Sequence, residues 1–524
     1  MATGDELNYQ TNASAWAMAQ EIFGDGVTVV GASYSGDRDS SAIYSQGDSR
    51  APGATPGDSG VILSTGRVRD FTQSRGDPNR SDSTSTDTRG ENGNDAFDDA
   101  AGTRTYDAAY LDVSFIPTAD KMTMQFVFSS EEYPEFQNSV YQDFVGVWVN
   151  GQQVELAVGN GDADPGNINS TSNENLFLDN TDDDYNTEMD GLTVTMTLTM
   201  NVIPGIVNTI RIGVADVSDS NYDSNLLIAA DSIQTDFVAL TDETTLYPTG
   251  SVDLDVLAND ESASGGVLTI THINNVAVNA GDTVTLNTGQ TVQLNADGTI
   301  TVFGDGDTED FNFTYTATNG TNDDTGFVKV SQVPCFVAGT MIRVPGGERP
   351  VEALRLGELV ETRDHGPQPL RWIGRRRVAA EGELAPIHIR ENTFGRHGAL
   401  MVSPQHRVLV RDSLAELLFG EAEVLVAARD LVNDHSVTRR PGGAVTYVHL
   451  MFDTHEVVWS AGLETESFLP GPQTTSLFEQ PVLDEICRIF PELDPATGLG
   501  YGPAARRTLR SYEAGLLFRN GRAA

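Results

Sequence analysis

The sequence predicts a mainly β, multidomain protein, and two observations support that prediction. Segment 192–202 reads LTVTMTLTMNV, in which apolar residues alternate with Thr and other polar residues. This period of two is typical of an antiparallel strand with one buried face. At 524 residues the chain is also too long for one core and should form about three or four domains. We expect a large β-sandwich-like domain, a small β-sandwich, a further all-β domain and a short C-terminal helical tail.

The charge of the chain divides it into two chemically different parts. The formal net charge is −44 at pH 7. Up to Pro334 there are 52 acidic residues against 11 Lys and Arg, whereas from Cys335 onward there are 24 against 21. So acidic a surface argues against nucleic acid and anionic membranes as partners, and it suits a protein that binds cations.

The chain offers few targeting or cross-linking signals. No segment approaches the 18 or more apolar residues of a membrane span. The start, MATGDELNYQT, lacks a basic region and an apolar stretch, so we expect no cleavable signal peptide. The two cysteines, Cys335 and Cys487, are too few for a disulfide scaffold.

Residues 12–235 predict one large β domain with polar insertions. Segment 74–103 has almost no large apolar residue except Phe97, so we expect a loop that neighbours or ions would order. The phrases VFSSEEYPEFQNSVYQDFVGVWVNG (127–151) and RIGVADVSDSNYDSNLLIAADSIQ (211–234) resemble the choice-of-anchor L domain of bacterial secreted or surface proteins. That resemblance implies an extracellular or cell-surface location, with a surface or matrix ligand, but no defined activity.

Residues 237–331 predict the smaller sandwich. Short strands recur about every ten residues, with Asn-Gly, Asp-Gly and Gly-Asp turns between them. The opening VDLDVLANDES (252–262) and the later DGT and FTYTATNG phrases resemble cadherin-like, Ig-like repeats of large bacterial surface proteins. Only one copy is present, so a repeat array is not supported.

Acidic loops make calcium a candidate structural ligand. Calcium takes six to eight oxygen ligands, and several loops of the first two-thirds present closely spaced carboxylates. The favoured group is Asp216, Asp219 and Asp223, with Glu131 and Asp143 as further ligands. None of the loops follows the full EF-hand spacing, and solvated acidic loops are an equally good interpretation of any single one.

Reactive side chains concentrate after residue 334. Seven of the eight histidines and both cysteines lie there. The block CFVAGTMIRVPGGERPVEALRLGELVETRD (335–364), followed by LMVSPQHRVLVRD (400–412) and TYVHLMFDTHEVVWSAGLETESFLPG (446–471), resembles the Hint domain of inteins and hedgehog proteins. The resemblance covers 335–471 and implies an all-β Hint fold that processes its own chain.

The residues themselves support that chemistry. Cys335 directly follows Pro334, so its thiol can attack the Pro334 carbonyl intramolecularly, in an N-to-S acyl shift that gives a thioester. The amide nitrogen then needs an acid. In the family a Thr-x-x-His block supplies one, and here the matching residues are Ser403 and His406.

The closing block contributes a further assisting residue in the family. His455 is favoured here, with Asp453 and His449 as alternatives. Inteins end in a His-Asn pair before a nucleophile, and no such pair closes this domain, so splicing is not expected. The expected reaction is therefore single-turnover cleavage on the N-terminal side of Cys335.

Two functions remain open at this point. In the first, the Hint domain cleaves or transfers the N-terminal passenger, with water, an amine or a thiol as acceptor and no cofactor. In the second, the chain is a calcium-stabilised adhesion or matrix protein whose Hint domain is inactive. Residues 472–524 carry apolar residues at helical spacing in 483–493 and 503–518, which predicts two short helices packed against the preceding domain.

Overall fold

The computed structural model describes residues 2–137, 139–246, 250–305, 310–332, 335–380, 385–433 and 435–469, together with 490, 504–509, 514, 515 and 517. The chain divides into two compact units. The first comprises 1–242, 253–301 and 311–329, and the second comprises 243–252, 302–310 and 330–524. Strands dominate both units, so the prediction of a mainly β, multidomain protein is confirmed.

The N-terminal part of the first unit is a sandwich of two antiparallel sheets, here called the front and back sheets. Alternating residues of both sheets, such as Val113 and Ile212 from the front and Phe126 from the back, share one buried cluster. The front sheet has the order Val27–Ser35, Thr105–Pro117, Asn208–Val217, Phe144–Val149, Gln152–Gln153. The back sheet has the order Asn8–Gln10, Ser41–Ser45, Ser59–Ser64, Ser224–Ala229, Lys121–Ser130, Gly191–Thr193, Phe177–Asp179, with Met196–Asn201 also paired to Lys121–Ser130.

Short helices cover parts of this sandwich. The α-helices are Ala15–Ile22, Gly47–Arg50 and Asp95–Ala101, and the 3-10 helices are Val68–Asp70 and Glu174–Leu176. The helix at 95–101 corrects the expectation of a loop across 74–103. The Asn94 side chain caps it by accepting from the Ala96 amide, and Phe97 is fully buried against the front sheet. One aromatic anchor and one cap are sufficient to order this part of a polar segment.

The rest of segment 74–103 is ordered by neighbouring groups, as the sequence suggested. The Thr86 amide donates to Asp223 Oδ1 at 2.7 Å, and the Thr88 amide donates to Asp107 Oδ2 at 3.1 Å. Both carboxyl groups are buried, so they hold the loop against the sandwich through these hydrogen bonds.

The smaller sandwich of the first unit also packs on the back sheet. Buried Asp324 accepts from Thr197 Oγ1 of the back sheet at 3.1 Å and from the Ala239 amide at 2.8 Å. Its strands include Thr269–Ile273, Val276–Ala277, Phe311–Thr318 and Asp323–Gln332 in one sheet, and Thr283–Thr285, Thr291–Leu294 and Ile300–Phe303 in another. Strand Phe237–Val238 pairs with strand Glu261–Ser262. Two further strands, Asp242–Leu246 and Ser251–Leu254, lie where the chain passes from one unit to the other.

The described residues of the second unit from 335 onward form two sheets. One has the order Trp372–Ala379, Ala444–Met451, Phe336–Val337, Leu400–Val402, Ile387–Ile389, Val437–Arg439. The other has the order Gly347–Pro350, Met341–Val344, Val457–Ser460, Leu463–Glu466, Arg407–Arg411, Glu423–Ala427, Arg507–Thr508, and Leu359–Thr362 joins Gly366–Pro369 to it. Helices are Ser413–Phe419 and the 3-10 turns Val351–Ala353 and Ala428–Leu431.

The C-terminal tail contributes to the core of the second unit. Leu509, Ala514 and Leu517 are buried in the same cluster as Val424. Residues 507–508 form a strand parallel to 424–425, which corrects the predicted helix at that point, whereas 514, 515 and 517 are helical. Sheet pairing with an available edge outweighs the local helix propensity there. The other predicted helix, 483–493, lies outside the described residues except for Phe490.

Candidate functional site

Cys335 lies at the start of a central strand of the second unit. Phe336 pairs with Val402 on one side and Val448 on the other, and this pairing fixes the chain next to the nucleophile. Cys335 itself is buried, 5% exposed, in an apolar cluster with Trp372 and Phe468. The thiol is therefore largely removed from bulk solvent.

Ser403 forms two hydrogen bonds with the backbone of Cys335, one as acceptor and one as donor. The Cys335 amide donates to Ser403 Oγ at 2.7 Å, and the Ser403 amide donates to the Cys335 carbonyl at 2.9 Å. This amide nitrogen belongs to the Pro334–Cys335 bond. Ser403 therefore fixes the nitrogen that would leave in the predicted cleavage.

His449 is the histidine that the structure brings to the thiol. Its Nε2 lies 3.4 Å from Cys335 Sγ, and the residue is 2% exposed. It lies on strand Ala444–Met451, and its ring meets that of Phe468 edge to face at 5.3 Å between centroids. The pair has the arrangement of a thiol with an adjacent proton acceptor.

His406 lies one turn beyond Ser403, and its amide donates to the Ser403 carbonyl at 3.1 Å. The ring is 1% exposed and lies 4.3 Å from the Phe336 ring, centroid to centroid. Neither ring nitrogen has a hydrogen-bond partner among the described residues. Burial lowers the pKa of His406 to about 4, although the negative charge of Glu466 opposes that shift.

Glu466 is the centre of a buried ion group that sequence reasoning missed. Its Oε1 accepts from the Arg407 amide at 2.9 Å, and its Oε2 lies 3.2 Å from Arg407 Nη1 and 3.5 Å from His455 Nε2. Burial alone would raise the pKa of this carboxyl, but Arg407 and His455 outweigh burial and lower it to about 2. The sequence did contain a signal for this ion group, because the block VSPQHRV carries the positive Arg407 and the block ETESF carries the negative Glu466.

The other two residues of the closing block lie in different surroundings. His455 Nε2 lies 3.1 Å from the Ser467 carbonyl oxygen, and the Ala505 amide donates to His455 Nδ1 at 2.9 Å. Asp453 pairs with Arg371 at 2.8 Å, and its side chain is 55% exposed. Of the three candidates, His449 is therefore the one in contact with Cys335.

Four of the five acids predicted as metal ligands are buried in the first unit: Glu131, Asp143, Asp216 and Asp223. The side chains of Asp143 and Asp216 are hydrogen-bonded to each other, and the charge of Asp223 acts on both Asp216 and Glu131. Asp219 accepts from the Asn221 amide at 3.0 Å. In the part of the chain that the structure describes, no three His, Cys, Asp or Glu side chains form a group that could hold a metal ion.

Burial raises the pKa of four of these acids, Glu131, Asp143, Asp216 and Asp223. The pKa of Glu131 rises to about 10 and that of Asp223 to about 7, with desolvation as the largest cause in both. Desolvation is also the largest cause that raises the pKa of Asp143 and of Asp216; the charge of Glu132 comes next for Asp143, and the charge of Asp143 comes next for Asp216. Both carboxylate oxygens of Glu131, Asp216 Oδ1 and Asp223 Oδ2 have no hydrogen-bond partner among the described residues.

The fold and this site define a mainly β, modular protein with a buried thiol beside a histidine. Residues 6–234 match the family model of the choice-of-anchor L domain, and residues 334–472 match that of the Hint domain. The chain therefore carries both a choice-of-anchor L domain and a Hint domain. Of the three resemblances identified in the sequence, those to the choice-of-anchor L domain and to the Hint domain are confirmed by these matches.

Other comparisons add little to these two matches. No curated protein matches the chain. The crystal structure of the gp41-1 intein is 10% identical, with a TM-score of 0.17, and the match covers 25% of this chain and 97% of that one. Drosophila OTK extracellular domains 3–5 are 12% identical, with a TM-score of 0.14, and the match covers 45% of this chain and 64% of that one.

No helix among the described residues is long and apolar enough to cross a membrane.

Proposed function

We propose that the Hint domain cleaves the Pro334–Cys335 bond, with Cys335 as nucleophile, and thereby releases or transfers the N-terminal passenger. The observation that carries this proposal is the pair of contacts at Cys335. Its thiol lies 3.4 Å from His449 Nε2, and its amide donates to Ser403 Oγ at 2.7 Å. Nucleophile, proton acceptor and leaving nitrogen are thus grouped in one buried place.

In the first step the thiol sulfur attacks the carbonyl carbon of Pro334. A carbon–sulfur bond forms, the carbon–nitrogen bond breaks, and the nitrogen of Cys335 becomes an amine after it gains a proton. His449 takes the proton of the thiol, and His406 gives one to the nitrogen from its imidazolium form, which is the minor form near neutral pH because burial lowers its pKa to about 4. In sum, one proton moves from sulfur to nitrogen, and solvent exchange restores the two histidines.

Ser403 and Glu466 support this step in different ways. The Ser403 hydroxyl orients the amide that must leave. Glu466 places a buried negative charge near His406, which favours the charged form that a proton donor requires. Arg407 and His455 keep Glu466 ionised and so act indirectly.

In the second step an acceptor resolves the thioester. Water breaks the carbon–sulfur bond, gives a carboxylate at Pro334 and restores the thiol of Cys335. An external amine or thiol would instead take over the acyl group. The choice-of-anchor L domain supports a passenger that acts outside the cell or at its surface.

Intact mass of the freshly purified full chain tests the proposal. We expect fragments 1–334 and 335–524 from wild type, in amounts that hydroxylamine increases, and only full-length chain from Cys335→Ala. Cys487→Ala is the matched control and should cleave as wild type does. A single full-length mass for wild type, with and without hydroxylamine, would contradict the proposal and favour an adhesion protein with an inactive Hint domain.

The roles of the histidines are tested by rate. His449→Ala should slow cleavage about 100-fold or more, the usual scale of general acid–base help. His455→Ala is the comparison variant, because His455 lies beside Glu466 and accepts a hydrogen bond from the Ala505 amide of the tail. Equal losses in both variants, measured where both remain folded, would remove His449 from its assigned role.

A further inference from the structure

A groove lies on the outer face of the front sheet, far in sequence from the Cys335 chemistry. Its volume is about 730 Å³, within the range of small-molecule sites. One side is formed by helix Asp95–Ala101, through Ala96, Asp99 and Ala100. Gly31 also lines the groove, and a Cβ built there would meet no atom closer than Ser114 Cβ at 3.9 Å, so this position leaves space above the sheet.

A row of side chains crosses this groove from strand to strand. The sheet register places Ser33 opposite Asp112, Asp112 opposite Arg211, Arg211 opposite Trp148, and Trp148 opposite Gln153. Neighbouring strands are about 4.8 Å apart, so the row extends about 19 Å. We call these five residues the platform row. It combines one aromatic ring with a hydroxyl, a carboxylate, a guanidinium and an amide.

The charged centre of the platform row is held in place before any ligand arrives. Arg211 Nε lies 2.8 Å from Asp112 Oδ1, and Arg211 Nη2 lies 3.0 Å from Asp112 Oδ2. The guanidinium also lies over the Tyr110 ring at 4.2 Å from its centroid. Both members of the pair remain accessible, with side chains 27% and 40% exposed. The pair is therefore neutral in sum, rigid, and able to bond further polar groups.

Trp148 is fixed as well. Its ring meets Phe97 at 4.9 Å between centroids, with 70° between the planes. It also lies over Gly146, where a Cβ would be only 2.2 Å from the indole Cη2. Glycine at 146 thus makes room for the indole at the groove, and Trp148 itself is half-buried.

We propose that this groove is a binding site for a neutral carbohydrate. A fixed indole offers an apolar surface to the C–H face of a sugar ring, and the flanking carboxylate, guanidinium and amide match its hydroxyl groups. The length of the platform row suits an oligosaccharide better than a single sugar. The 52 acidic against 11 basic residues before Cys335 repel acidic glycans and nucleic acid.

Isothermal titration of the full chain with cellohexaose, laminarihexaose, maltohexaose and chitohexaose tests the proposal. We expect at least one of these neutral sugars to bind, and hexagalacturonate, an acidic control, not to bind. Trp148→Ala should weaken binding at least about tenfold, a change typical of losing a central aromatic contact. Trp16→Ala is the matched control, because Trp16 is 48% exposed in the same domain and does not line the groove.

A second variant protects the test against misfolding. Gln153 is exposed on the edge of the front sheet, so Gln153→Ala should keep the melting temperature of wild type and still weaken binding about threefold. Failure of all four neutral sugars to bind would overturn the proposal. So would wild-type affinity in both Trp148→Ala and Gln153→Ala. Neither result depends on whether the Pro334–Cys335 bond is cleaved.

Discussion

The two units bury carboxyl groups in opposite ways. In the first unit, Asp143 accepts from the Val217 amide and the Ser224 hydroxyl, and Asp223 accepts from the Thr86 amide. In the second unit, Glu466 accepts from the Arg407 amide and pairs with its guanidinium. Desolvation raises the pKa of the first set, whereas a positive partner lowers that of Glu466 to about 2. Burial thus favours a neutral acid unless a buried cation offsets it.

The largest expected difference in stability is between two variants that replace a buried acid by its amide, one in each unit. Glu466→Gln leaves the Arg407 guanidinium without its buried counter-ion and should cost about 3 kcal/mol of the free energy of unfolding of the second unit. Glu131→Gln should change the stability of the first unit by less than about 1 kcal/mol, because an amide resembles the neutral acid. Calorimetry of the full chain measures both, and the transition that Glu466→Gln moves identifies the second unit. Equal losses from the two variants would break the comparison.

The next effect is an opposite response to pH. The pKa of Glu131 is about 10 in the folded protein and 4.5 as its ordinary value, so rising pH removes a proton from the unfolded chain first and lowers the stability of the first unit. The pKa of His406 falls from 6.5 to about 4, so falling pH protonates the unfolded chain first and destabilises the second unit. Between pH 4.5 and 6.5 Glu131 and His406 should each change the stability of their unit by about 2 kcal/mol, in opposite directions.

Melting temperatures recorded across this pH range check that expectation. The first transition should move down as pH rises, and the second should move up. Glu131→Gln should make the first slope less steep, while the other buried acids of that unit keep its direction, and should leave the second slope unchanged. Parallel slopes in wild type would contradict the contrast between the units.

The smallest expected effect concerns calcium, which stays a prediction from the acidic loops. A cation and protons compete for the same carboxylate oxygens, so excess calcium should raise the melting temperature of the first unit more at pH 8 than at pH 5. At ten times its dissociation constant the gain would be about 1.4 kcal/mol. Identical melting curves in calcium and in EDTA at pH 8 would count against calcium and leave protons as the neutralising species.

Sequence reasoning reached the features that lie in contiguous motifs. Cys335, Ser403 and His406 stand in recognisable blocks, and the alternation in 192–202 predicted strands, where the structure has Gly191–Thr193 and Met196–Asn201. Contacts between distant segments were out of reach. Arg407 and Glu466 are 59 positions apart, and only the pairing of their strands brings them together. For the same reason, sequence alone left His449 as an alternative to His455.

Two predictions of secondary structure from local sequence were wrong, the loop across 74–103 and the helix at 507–508, and each has a physical reason. The cap at Asn94 and the anchor Phe97 were too short a pattern to indicate helix 95–101 within a polar segment. Arg507 and Thr508 lie in a stretch of helix-forming residues, yet they pair with Val424 and Leu425 at a sheet edge. In both cases the front sheet or the Hint core supplied the deciding contact.

The C-terminal tail also determines where the Hint domain can be cut from the rest of the chain without loss of its core. The family match ends at 472, but Leu509, Ala514 and Leu517 fill part of the same hydrophobic cluster as Val424. A boundary drawn at the end of the motif would therefore cut through the core and expose an apolar cavity together with a free strand edge. For expression, fusion or transfer to another passenger, the smallest transferable piece begins at the scissile bond and extends at least to residue 517.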